Sequence, residues 1–205
     1  MEVAAATSSV LVLIWFVQSL GSAALDLTVR LSIVAAMVAS NIAHGDSLKR
    51  LGIRFDNFSE VARMTVRPTV AAAVAIAVIS ITLALPEVSL QRVVLNFVHY
   101  IGWGFAQQYA LQGFVLVRLI DAGLDRRAPV GAAAVFALIH APNPGLMVMV
   151  FLGGWLWSTL FRREPNLVVL AVSHAFLAVV AEAMLPTIVT GGYRLGPHYM
   201  RWVSG

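Results

Sequence analysis

Cysteine is absent from the 205 residues, and charged residues are scarce, at 12% of the chain. The first absence excludes disulfides, thiol catalysis and thiolate metal ligands. The second excludes an ordinary soluble domain, in which about a quarter of the residues are charged. Apolar residues take their place: 60% of the chain is hydrophobic, and the mean hydropathy is +0.84. The composition therefore predicts an all-α, multi-pass transmembrane bundle with the lipid bilayer around it.

Long apolar runs divide the chain into candidate membrane spans. We predict about seven, at residues 3–25, 27–43, 68–86, 96–118, 129–140, 146–161 and 165–185. Between the second and third runs, residues 44–67 mix apolar with basic side chains. This predicts an interfacial segment on the inner leaflet, with an ordinary solvated loop as the alternative. Residues 1–205 are predicted to form a single membrane domain.

The basic residues predict the orientation in the cell (inner) membrane. With a cytoplasmic N-terminus, ten Lys and Arg residues lie on the inner side and four on the outer side. This distribution also explains the net charge of +4 without a nucleic acid partner, since no basic face carries interleaved aromatic residues.

The fourth span carries polar side chains that are costly in hydrocarbon: Asn96, His99, Gln107, Gln108 and Gln112. Helical spacing puts His99, Trp103 and Gln107 on one face and Gln108 and Gln112 on a neighbouring stripe. We therefore predict that this helix turns a polar seam toward other helices. Gly102 and Gly104 would allow close approach.

Two later spans each bring a histidine to an apolar position, His140 and His174. Counted from the basic residue at the inner end of each helix, Gln107, His140 and His174 all lie about 16–20 Å deep. Polar residues that share one layer inside a membrane predict a functional site. The alternative is that each is a separately satisfied packing residue.

Three short patterns in these spans resemble a known set of motifs. The chain reads Gln107-Gln108-x-x-x-Gln112, then Phe136-x-x-x-His140, then His174-x-x-x-Ala178. Their order and spacing resemble Glu-Glu-x-x-x-Arg, Phe-x-x-x-His and His-x-x-x-Asn of the CPBP family. This family, also called Abi, contains CAAX proteases and bacteriocin-processing enzymes. The resemblance covers roughly residues 45–185.

The resemblance implies an intramembrane endopeptidase that uses no cofactor and acts on a membrane-associated protein or peptide. By this resemblance, Gln107 occupies the position of the base, Gln108 that of its partner and Gln112 that of the arginine. His140 would lie beside the water and His174 at the oxyanion, and Ala178 occupies the position of the asparagine that is the second oxyanion donor. Phe136 belongs to the second motif. His99 and Glu182 are further candidates for a supporting role, since Glu182 lies two turns after His174.

The departures from the motifs leave the chemistry open. A glutamine amide is not a useful general base, and losing one oxyanion donor typically costs about a hundredfold or more in rate. His140 could act as the base instead. The glutamines are compatible with a natural divergent branch or with an inactivated mutant.

Two alternatives to a protease remain. One is a catalytically silent relative that binds membrane segments for sorting, immunity or assembly. The other is a small transporter or channel, but no broken helix pair or inverted repeat in the sequence supports it. Two histidines and two amides make a poor zinc site, so no metal is predicted. Asn143 and Asn166 are predicted to be turn and cap residues, and Trp155 and Trp157 to lie near the inner rim.

Overall fold

The computed structural model describes residues 1–83 and 90–205, which form helices joined by short turns and contain no strand. The helices are α1 (Glu2–Val12), α2 (Ala23–Ala43), α3 (Phe58–Leu83), α4 (Leu90–Gln108), α5 (Val117–Asp121), α6 (Ala128–Leu138), α7 (Pro144–Arg163), α8 (Leu167–Met184), α9 (Thr187–Thr190) and α10 (Gly196–Ser204). A π-helical turn, Leu13–Val17, extends α1, and a second one, Tyr109–Leu116, joins α4 to α5 without a break. The predicted all-α fold is confirmed.

Five helical segments are long and apolar enough to cross a bilayer: Glu2–Leu20, Ala23–Ala43, Phe58–Leu83, Pro144–Arg163 and Leu167–Met184. The continuous helix from α4 to α5 and the shorter α6 occupy the positions of the other two predicted spans. The prediction of a multi-pass integral membrane protein is therefore confirmed.

The start of the third span differs from the prediction. Pro68 was expected at its first turn, yet α3 begins ten residues earlier, at Phe58, with Pro68 in its interior. Residues 58–67 are thus helical turns rather than part of a separate interfacial segment. Membrane helices tolerate an internal proline because neighbouring groups satisfy the freed backbone. The predicted end of this span, Pro86, lies outside the described residues.

Small residues bring the histidine-bearing helices close to their neighbours. A Cβ atom added at Gly104 of α4 would lie 3.2 Å from the carbonyl oxygen of Ala171 and 3.7 Å from His174. A Cβ atom at Gly154 of α7 would lie 3.2 Å from the ring of Phe136 on α6. The predicted role of Gly104 is confirmed, whereas that of Gly102 is wrong, because a Cβ there would meet open space.

Two asparagines cap the helices that form the second half of the bundle. The side chain of Asn143 accepts from the Leu146 N–H at 3.1 Å, and that of Asn166 accepts from the Val169 N–H at 3.0 Å. Each amide nitrogen also ties its helix to a distant segment, and that of Asn166 donates to the Arg54 carbonyl at 3.1 Å. Both predicted cap residues are confirmed.

A buried ion cluster holds the end of the central helix, and we call it the Arg118 cluster: Asn41, Asp46, Arg50, Arg118 and Asp121. The Arg118 guanidinium, only 4% exposed, donates to Asp121 Oδ2 at 2.9 Å, to Asn41 Oδ1 at 2.7 Å and to the Asp46 carboxylate. The Asp46 side chain is fully buried, and Arg50 pairs with both aspartates. The cluster therefore fixes α5 against α2 and the turn that follows it.

Removing the central cation should destabilise the fold strongly. We expect Arg118→Ala to lower the free energy of unfolding by about 3 kcal/mol, the low end for a broken buried pair, because it removes the buried cation from Asp46 and leaves that carboxylate only the exposed Arg50 as a partner. Arg162→Ala is the matched control, since Arg162 pairs with Asp125 at 3.0 Å on the surface and such pairs contribute about 0–1 kcal/mol. Thermal unfolding in detergent micelles would compare the variants, and equal losses would contradict a central role for Arg118.

The connections predict a topology that reporters can check. Glu2 lies 3.5 Å from Arg118, at the end of the bundle that carries the Arg118 cluster. The tail packs against the turn between α6 and α7, where the Gly196 N–H donates to the Ala141 carbonyl at 3.1 Å. We expect a reporter at Lys49 to be cytoplasmic and one at the C-terminus to be external. Reporters on the same side would contradict this topology.

Candidate active site

A series of hydrogen bonds crosses three helical segments in the middle of the bundle, and we call it the amide chain. The Ser158 hydroxyl of α7 donates to Gln112 Oε1 at 2.9 Å. Gln112 Nε2 donates to Gln108 Oε1 at 3.1 Å, and Gln108 Nε2 lies 3.3 Å from His174 Nδ1 on α8. Ser158, Gln108 and Gln112 are fully buried. The amide chain thus satisfies polar groups that would otherwise be costly in this environment.

Local helix geometry explains how the two glutamines meet. Gln108 ends α4 and Gln112 follows four residues later in the π-helical turn, so both side chains lie on one face. Single π-helical turns within α-helices are frequent at functional sites, where they redirect side chains. The predicted inward-facing stripe of Gln108 and Gln112 is confirmed.

His140 lies just beyond the end of α6 and is 8% exposed. Its Nδ1 lies 2.6 Å from the carbonyl oxygen of Phe136. A carbonyl oxygen only accepts hydrogen bonds, so in the neutral ring Nδ1 carries the proton. Nε2 is then left with a free lone pair.

The Phe136 ring lies next to both imidazoles. Its centroid is 4.8 Å from that of His140 and 6.3 Å from that of His174, so the two imidazoles are at most about 11 Å apart. The structure therefore brings His140 and His174 around one aromatic side chain, and the amide chain joins Gln108 and Gln112 to His174.

Trp157 stacks on His174, with centroids 4.4 Å apart and planes 18° from parallel. The indole N–H donates to Ser173 Oγ at 3.1 Å, and that hydroxyl bonds Thr69 Oγ1 at 2.7 Å. Trp157, which was predicted to lie near the inner rim, is buried between helices at 4% exposure. Sequence reasoning missed Ser158, Ser173 and Thr69; the only available signal was hydroxyl groups within apolar helices.

Gln107 faces away from the amide chain. Its half-buried side chain lines a cavity of about 80 Å³ between α1, α2, α4 and α6, together with Ala6, Thr7, Val10, Met37, Ala110, Leu111, Val115, Val135, Phe136 and Ile139. Phe136 thus borders this cavity on one side and contacts both imidazoles. The adjacent glutamines therefore occupy different environments, although they belong to one motif.

Three candidate residues lie away from the imidazoles. His99 and Trp103 were expected to face other helices, but both are exposed, and Trp103 is 45% exposed with the Arg30 guanidinium 5.9 Å from its ring. Packing of α4 against α8 uses the Gly104 and Gln108 side instead. Glu182 accepts from Asn96 Nδ2 at 3.0 Å, two turns beyond His174.

Two further observations concern the second oxyanion donor and a metal ion. Ala178, half-buried one turn after His174, has no side-chain donor to offer. Within residues 1–83 and 90–205, no three His, Cys, Asp or Glu side chains come close enough together to hold a metal ion.

Comparison with known proteins bears on the segment that contains this site. The family model described as Rce1-like, "Type II CAAX prenyl endopeptidase Rce1-like", matches residues 89–180. That range includes all three motif positions from Gln107 to Ala178. The predicted resemblance to the CPBP family is therefore confirmed. Searches of curated proteins and of solved structures found no match.

Proposed function

We propose that this chain, whose residues 89–180 match the Rce1-like family, is an intramembrane endopeptidase that hydrolyses a membrane-associated protein or peptide. One observation carries the proposal. His140 Nδ1 donates to the Phe136 carbonyl, which leaves Nε2 unprotonated. Nε2 can therefore act as the base that the glutamines at the motif positions cannot supply.

In the proposed reaction, His140 Nε2 takes a proton from water as the water oxygen attacks the substrate carbonyl carbon. The carbonyl π electrons move to the oxygen and form a tetrahedral oxyanion. When this intermediate collapses, the C–N bond breaks and His140 returns the proton to the leaving amine. The histidine is regenerated, and no cofactor enters the balance.

His174 is proposed to donate to the oxyanion. Two contacts hold its ring in place: the ring stacks on Trp157, and its Nδ1 lies within hydrogen-bond distance of Gln108. Preorganised donors of this kind stabilise charge that develops in the transition state. The Gln107 amide, which lines the adjoining cavity, would orient the water or the substrate. The substrate would enter from the bilayer, between helices.

A second candidate function is a silent relative that binds membrane segments for sorting, immunity or assembly. The substitutions favour it, since Gln107, Gln112 and Ala178 stand where the motifs have Glu, Arg and Asn. Both candidates share a location in the cell membrane with a cytoplasmic N-terminus.

A cleavage assay tests the proposal. Purified protein reconstituted in proteoliposomes with membrane peptides should generate new peptide termini, detected by mass spectrometry, and these should depend on His140. Peptides that bind specifically but are recovered intact would favour the silent relative.

A further inference from the structure

We propose that the amide chain holds His174 in the tautomer that carries its proton on Nε2, with Gln108 as a positioning residue. The inference deepens the proposed function. The tautomer assignment stands by itself, and only its consequence for catalysis rests on the proposed function. It explains how an uncharged pair of glutamines can support a site that contains two histidines.

The direction of each hydrogen bond supports the assignment. An amide nitrogen has two hydrogens to donate and accepts no hydrogen bond, so His174 Nδ1, 3.3 Å from Gln108 Nε2, must accept. The proton of the neutral imidazole is then on Nε2.

The rest of the amide chain runs in the same direction, so the two amides could reverse only together, with the Ser158 hydroxyl accepting instead of donating. Gln108 presents Nε2 to the histidine because its Oε1 accepts from Gln112 Nε2 at 3.1 Å. Gln112 in turn presents its nitrogen because its own oxygen accepts from the Ser158 hydroxyl at 2.9 Å. Turning over one amide alone would put two oxygens or two nitrogens face to face, which costs a buried hydrogen bond.

The consequence is a division of work between the two imidazoles. His140 donates through Nδ1 to the Phe136 carbonyl and keeps a free lone pair on Nε2. His174 accepts at Nδ1 and keeps a hydrogen on Nε2. One ring is therefore set to take a proton and the other to donate a hydrogen bond, as the proposed reaction requires.

Nitrogen-15 NMR of histidine-labelled protein in detergent micelles tests the tautomer directly. Protonated and unprotonated imidazole nitrogens resonate in well-separated ranges, and the His174 signals can be assigned by their loss in His174→Gln. In the wild type we expect Nε2 of His174 in the protonated range and Nδ1 in the unprotonated range. His140 should show the opposite pattern.

Gln108→Glu should exchange the two His174 assignments, because a carboxylate only accepts and would require a proton on Nδ1. Gln107→Leu is the matched control, since Gln107 lies outside the amide chain, and its His174 signals should equal those of the wild type. If the glutamate variant does not fold, the wild-type spectrum still decides the question.

A wild-type His174 with its proton on Nδ1 would overturn the proposal, as would an unchanged pattern in a folded Gln108→Glu protein. These readings need no substrate. Absence of cleavage would therefore contradict the proposed function while leaving the tautomer assignment intact.

Discussion

Replacing His140 by alanine is expected to abolish cleavage of a membrane substrate, lowering the rate by about 10²–10⁴-fold, the contribution typical of a positioned acid–base group. The variant removes the imidazole whose Nε2 remains unprotonated because its Nδ1 bonds the Phe136 carbonyl. Rates of new-terminus formation in proteoliposomes would measure the loss. Acidification that protonates this nitrogen should reduce wild-type cleavage in the same way, since a protonated imidazole cannot accept a proton from water.

Two further variants separate the loss of a base from the loss of packing. His140→Asn keeps an N–H donor for the Phe136 carbonyl but has no basic nitrogen, so its rate should fall as far as that of His140→Ala. His198→Ala, which removes an exposed histidine of α10, should cleave like the wild type. Undiminished cleavage by either His140 variant would end the assignment of His140 as the base.

The sequence predicts the inner arrangement of the bundle better than its outer faces. Distances from the basic residues at the inner helix ends put Gln107 and His174 in one layer, and the structure joins the neighbouring Gln108 to His174 by a hydrogen bond. The asparagine caps were equally predictable, because capping depends on the few residues that follow. Such features are local, or they repeat a spacing that helical geometry imposes.

Absolute orientation was less predictable. Periodicity groups His99 with Trp103 but does not say whether their stripe faces a neighbour, and the structure leaves it exposed. Trp157 resembles an interfacial anchor by sequence, yet its side chain is buried and stacks on His174 of α8. These outcomes depend on which helices pack together, which no single segment encodes.

The different surroundings of the two glutamines lead to the second large effect. Gln107→Glu is expected to increase the cleavage rate by about tenfold to a hundredfold, somewhat below the full 10²–10⁴ of a positioned base because His140 already serves. Gln107 and Phe136 line the same cavity, so in the proposed reaction we expect a carboxylate at position 107 to reach the water molecule and the substrate. Parallel cleavage assays on wild-type and variant protein would measure the gain.

Gln108→Glu is the matched control, because it makes the same chemical change one residue along the helix. Its carboxylate would be fully buried beside Gln112 and His174 and would lose its hydration there. It should also draw the His174 proton to Nδ1 and remove the oxyanion donor, so we expect a lower rate than that of the wild type. Equal gains from both variants would mean that any carboxylate in this layer suffices. If neither variant gains and a bound peptide stays intact, the cavity serves for binding alone, because a base placed at Gln107 would then have no reaction to accelerate.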